Sequence, residues 1–315
     1  MCPFYFRMGP NSVERCVRMK KYFAVIVLLA AVASCGPRYI YPHLEWLIPW
    51  YISDYISLDD RQENMLEDRL QKQLDWHCRT QLANYAQLLR AVGRDFESAA
   101  RPIEYSRLQF YLQKLMALRR ELLQQIAGDI TDILHTASEA QIKELFDNLQ
   151  VQNKKLREQY INLDPLQLDE NRQKRMVKRM KYWISTVTRE QRDAVSAWSS
   201  QLAPIAEDWL KNRELVQAEA RRLLAGAKSD PASEKSLQEL IADPERMRTA
   251  AYQKAIDINT DITLKFIMRL DRLLTPGQRT FFLKRIESLA ADFDKLSCDP
   301  KDIPYEGSRV HDWRY

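Results

Sequence analysis

The sequence predicts an all-α protein, an elongated multi-helix bundle. Three observations lead there. Apolar residues recur at spacings of three and four along most of the chain, glycines number only 7 in 315 residues, and 29% of residues are charged. The spacing gives each segment one apolar face, scarce glycine keeps the backbone in long regular runs, and the charges solvate the remaining faces.

The first long helix opens at Asp59, with Gln62 three residues on. This is a capping box, in which the two side chains satisfy each other's backbone N–H groups. Its stripe runs Leu66, Leu70, Leu74, Cys78, Leu82, Tyr85, Leu89 and Val92, and Gly93 and Pro102 bracket the break that follows. A second helix over about residues 103–134 carries Leu108, Tyr111, Leu115, Leu122 and Ile130, and antiparallel packing on the first is the simplest arrangement. Ser138 with Gln141 forms a second box, whose helix ends at Asn162 and Pro165. Residues 170–184 form a basic helix. Thr188 with Gln191 is a third box, opening a long helix to about residue 224 with a kink at Pro204, and residues 225–231 are a linker. A further helix covers about residues 244–274. Thr275 with Gln278 is the fourth box, with Pro276 at the favoured first helical position, and the last helix runs to Leu296.

The boxes fall in pairs. Asp59 and Ser138 lie 79 residues apart, and Thr188 and Thr275 lie 87 apart. Asp75-Trp76 with Leu82 is echoed by Asp208-Trp209 with Leu215. Two related helical halves are expected, 58–186 including the basic helix and 187–297, followed by an irregular tail over 298–315.

Ahead of the bundle, Lys20 and Lys21 precede an apolar run from Tyr22 to Val32, the build of a secretory signal and too short to span a bilayer, which takes about 20 residues. Residues 1–34 are read as signal peptide, with 1–18 an over-extended start before Met19. Val32-Ala33-Ser34-Cys35 then resembles a lipobox, the bacterial lipoprotein signal. The resemblance implies cleavage before Cys35 and acylation of its thiol, a durable membrane anchor. Gly36, where an Asp would retain such proteins at the inner membrane, implies the outer membrane, facing the periplasm. Residues 35–57 are then an anchor and an aromatic-rich linker. Tyr39, Tyr41, Trp46, Trp50, Tyr51 and Tyr55 crowd this segment, and Pro49 is expected to prevent one continuous helix. These aromatics read as short helices packing on the body or as a collar at the lipid interface.

The net charge of +5 is mostly leader. Five basic residues and one acid lie in residues 1–35, leaving 43 basic and 42 acidic residues, which gives no case for nucleic acid. Cys78 and Cys298 remain after cleavage and lipidation, in an oxidising compartment. They are a disulfide candidate, with two free thiols as the alternative.

The strongest local charge feature is Arg172, Lys174, Arg175, Lys178, Arg179 and Lys181. It is either a solvated helix face or an anionic docking surface carried by Arg172, Arg175, Lys178 and Arg179. No Gly-rich phosphate loop, zinc-protease pattern, CxxC or nucleophile elbow is present. His77 stands beside Cys78 and Asp75, but neighbours on a helix diverge by about 100°, so a core-facing thiol and a surface histidine are expected. No catalytic residue, metal or cofactor is assigned.

Two resemblances follow. The lipobox, Leu44-Glu45-Trp46-Leu47, Trp50 to Tyr55, Leu58 to Gln62, Trp76 to Arg79 with Tyr85, and Trp209 to Arg213 together resemble an uncharacterised family of Gram-negative lipoproteins. Leu274-Thr275-Pro276-Gly277-Gln278 is similar to the Leu-Thr-x-x-Gln repeats of Spy-like periplasmic chaperones, from which the other three boxes depart. The expected function is a non-catalytic binding or scaffolding protein of the cell envelope, held at the membrane by its lipid, with an envelope protein or anionic lipid as partner. A chaperone-like factor, favoured by a concave apolar surface, is the alternative. A hydrolase with a dispersed site would need a pocket of convergent polar groups.

Overall fold

The structure is a computed structural model that describes residues 36–227 and 230–298. Every regular element among them is helical. The chain divides into a compact unit up to Leu44 and a second from Glu45 onward. In the first lie helix α1 (Pro37–Ile40) and a 3-10 turn (Tyr41–His43).

Helix α2 (Leu44–Ile52) runs through Pro49, contrary to the break expected there. The missing proline N–H removes one bond to the carbonyl four residues earlier, and a helix this short has few such bonds to lose.

The body then runs α3 (Asp60–Thr80), α4 (Leu82–Asp95), α5 (Tyr105–His135), α6 (Glu139–Tyr160), α7 (Pro165–Ile184), α8 (Arg189–Gln201), α9 (Ala206–Ala227), α10 (Pro231–Ala242), α11 (Ala250–Arg272) and α12 (Pro276–Leu296). The first long helix is interrupted at Gln81, which is fully buried between α3 and α4. Pro204 separates α8 from α9 rather than kinking one helix. Helix α10 occupies residues that the sequence left between a linker and a later helix; Asp230 caps it, accepting from the N–H groups of Ala232 and Ser233.

All four capping boxes form, and they meet in pairs. Gln141 Nε2 donates to Gln62 Oε1 at 2.7 Å, and Gln62 Nε2 donates back at 3.2 Å. Each amide also donates to the carbonyl two residues before its partner's cap: Gln62 to Thr136 at 3.1 Å and Gln141 to Ser57 at 2.7 Å. Gln191 and Gln278 repeat the pattern, donating to Leu273 and Thr186, both at 3.0 Å. Each glutamine thus caps its own helix and ties it to the start of the other.

The helices interleave across the two halves. Tyr85 meets Phe293, Arg90 meets Glu287 and Phe96 meets Phe282, so α4 and α12 lie antiparallel. Gly93, expected to end a helix, sits inside α4 where a Cβ would come within 3.2 Å of Ile286. Its absence of side chain serves that close approach. Gln62 with Thr136 and Arg69 with Asp129 place α3 antiparallel to α5.

Three apolar clusters hold the body. Phe96, Ile103, Leu108, Tyr111 and Leu264 join α4, α5 and α11. Phe146, Leu223, Leu224, Leu237 and Leu240 join α6, α9 and α10. Met180, Ile184, Val195, Trp198 and Phe266 join α7, α8 and α11. Each fully buried leucine contributes about 1.5–3 kcal/mol. The basic helix α7, grouped by sequence with 58–186, therefore packs on elements of 187–297. A buried ion pair, Arg279 with Asp271 at 2.8 Å, fastens the turn between α4 and α5: Asp271 accepts from Ile103 N–H and Arg279 donates to the Phe96 carbonyl.

Candidate functional site: a basic cleft between α7 and α8

Helix α7 starts cleanly, with Asp164 accepting from Leu166 N–H and Pro165 at its first position. It ends at Ser185, whose φ of 68° and ψ of −63° lie in a region side chains rarely adopt. Thr186 N–H donates to the Ile184 carbonyl at 2.8 Å across it, a strained three-residue turn. The Thr186 carbonyl is the one held by Gln278. The chain thus doubles back sharply into the Thr188 box, and α8 is laid against α7.

Between the two helices is a cleft of about 370 Å³. Lys174, Lys178 and Lys181 form one wall, Arg192 stands on the other, and half-buried Val177 supplies the apolar surface between them, backed by the buried Val195. Glu170 takes Lys174 at 3.0 Å, and Asp169 accepts from Gln173 at 2.6 Å, so the acids sit at one end. Lys178, Lys181 and Arg192 form no ion pair among the described residues. The arrangement suits an anion with an apolar part.

The four residues expected to dock an anion do not share this face. Arg172 turns inward and donates to the Ser199 carbonyl at 2.9 Å, in the last turn of α8, where a cation favours the helix dipole. Ser199 Oγ in turn donates to Asp169 at 2.5 Å. Arg175 lies over the Tyr160 ring, 5.5 Å from its centre. Arg179 is exposed, and Lys178 alone of the four lines the cleft. Spacing along α7 placed the arginines together but could not show which stripe meets another helix. Arg192 was missed because it lies outside the basic run. On α7, Lys174, Lys178 and Lys181 sit at spacings of four and three, a signal that was legible.

Cys35 lies outside the described residues, as does the chain beyond Cys298. Cys78 and Cys298 are joined as a disulfide, their Cα atoms 5.2 Å apart. Asp75 is close to both sulfurs, but their bond leaves no thiolate to bind a metal. His77 is half-buried, not on the surface, with its ring 5.7 Å from that of Tyr85, and burial lowers its pKa. Tyr111, desolvated and hydrogen-bonded to Asp95, is pushed up to about 12. No described helix is long and apolar enough to cross a membrane.

No curated protein and no solved structure matches the chain. One family model does, over residues 54–253, a span that includes the cleft and the boxes at Asp59, Ser138 and Thr188. The chain belongs to that family, a family of unknown function (DUF6279).

Proposed function

We propose that this chain is a non-catalytic binding or scaffolding protein of the cell envelope, anchored through Cys35 to the outer membrane and facing the periplasm. Its body presents the α7–α8 cleft to an anionic partner. The observation that carries this reading is the cleft itself: Lys178, Lys181 and Arg192 line it beside Val177 and make no ion pair among the described residues. Cations left without acids in a chain whose charges otherwise balance are available to a ligand. The disulfide supports an oxidising compartment, and Val32-Ala33-Ser34-Cys35 supports the anchor.

The test has two arms. Replacing Cys35 by Ser should move the protein from the membrane pellet to the soluble periplasmic fraction; equal retention after a salt wash overturns the anchor. Replacing Lys178, Lys181 and Arg192 by Gln in the full chain should abolish binding of polyglutamate at low salt while leaving the far-UV circular dichroism unchanged. Undiminished binding by that variant overturns the cleft's role.

A further inference from the structure

We infer that the cleft's ligand is an acidic amphipathic helix of a protein partner, seated as a third helix in the groove between α7 and α8. This rests on the cleft being the binding site. Three features select this chemistry.

The first is the linear spread of charge. Lys174, Lys178 and Lys181 recur at spacings of four and three, so they span about 10 Å along α7 at a rise of ~1.5 Å per residue. A helix carrying carboxylates at the same spacing, laid along α7, meets Lys178 and Lys181 directly and Lys174 in exchange for its exposed pair with Glu170. A single phosphate would be gripped by groups converging on one point.

The second is that the nearest helix start is already engaged by its own side chains. An isolated phosphate or carboxylate is commonly held by free N–H groups at a helix start. The start of α8 beside the cleft is already capped: Gln191 N–H goes to Thr188 Oγ1 and Thr188 N–H to Gln191 Oε1.

The third is the apolar floor. Half-buried Val177 lies on the floor between the lysine wall and Arg192, with the almost wholly buried Val195 beneath it, and aliphatic side chains of a partner can rest there as in helix-in-groove recognition. The lysine stems extend that floor while their ammonium groups reach the rim.

The experiment uses the full chain, with its anchor, in neutral detergent. The probe is a fluorescent helical peptide with Glu at positions i, i+4 and i+7 flanking leucines, read by anisotropy. A scrambled peptide of the same composition is the control. Wild type should bind the ordered peptide at least about tenfold more tightly than the scrambled one, and the gap should persist as salt rises. The variant Lys178→Glu, Lys181→Glu should lose that binding and gain binding to a peptide with Lys in place of Glu. This swap shows that the variant is folded and that charges meet in register.

Equal binding of ordered and scrambled peptides overturns the inference and leaves a cleft that senses bulk charge only. Displacement of the peptide by phosphatidylglycerol in the micelles, where neutral micelles do not displace it, assigns the cleft to a lipid surface and also overturns it. Either result leaves the anion-binding cleft standing. If polyglutamate binding survives the Lys178, Lys181, Arg192 to Gln change, that broader reading fails instead.

Discussion

Gln191 and Gln278, 87 residues apart, face each other across the starts of α8 and α12 and exchange amide hydrogen bonds at 2.8 and 3.0 Å. Both are buried, and each carbonyl oxygen also accepts its own cap's N–H. Every polar atom of the two amides is used, the condition under which a buried polar pair is stable rather than costly.

Gln278→Ala should therefore destabilise the fold by about 2–4 kcal/mol, since it takes from Gln191 both bonds to the partner amide and leaves Thr275 N–H and the Thr186 carbonyl without their partner. Gln141→Ala, at the matching place but half-exposed, should cost less because water replaces part of what is lost. Urea unfolding of the two variants measures the difference; equal losses would show that the pairs do not depend on burial.

Asp271→Asn should cost about 3–5 kcal/mol, because it strands the buried Arg279 guanidinium without a counter-charge. Arg279→Lys should also lose stability despite keeping the charge, since one ammonium cannot reach the Asp271 and Phe96 carbonyls and the carboxylate as the planar fork does. Thermal denaturation of both variants checks this.

Ser185→Gly should stabilise the protein by about 1 kcal/mol, because glycine adopts the backbone angles at the end of α7 without a Cβ clash. A loss of stability in urea unfolding would mean that the serine side chain outweighs its strain.

Acidification should weaken the fold through His77. Burial holds its folded pKa below the ordinary value of 6.5. Between that lowered value and 6.5 the unfolded chain binds more protons, so stability rises with pH across the window and falls as pH drops through it. Unfolding midpoints measured from about pH 5 to 7 should show this slope, and His77→Phe should flatten it.

What was legible in the sequence was local. A capping box is written in residues three apart, and all four formed where the spacing placed them. The stripe from Leu66 to Val92 likewise turned inward, because one helix face is fixed by periodicity alone. What was not legible depended on which elements meet. Nothing near Arg172 in sequence tells it to turn toward Ser199, 27 residues away, and nothing near Arg279 announces Phe96, 183 residues away. Gly93 was misread for the same reason: its use is defined by Ile286 on another helix. The break at Gln81 lies within an uninterrupted apolar stripe, where periodicity carries no stop signal.

The bond between Cys78 and Cys298, 220 positions apart, closes the chain between them into a covalent ring. A single protease cut anywhere inside it releases no fragment. The two pieces stay in one molecule, and nicking becomes visible on a gel only after reduction. Most of the helical body is therefore protected from being dismantled by one cleavage, whereas the segment between Gly36 and Cys78 has no such tether. A cut there separates the ringed body covalently from everything before it.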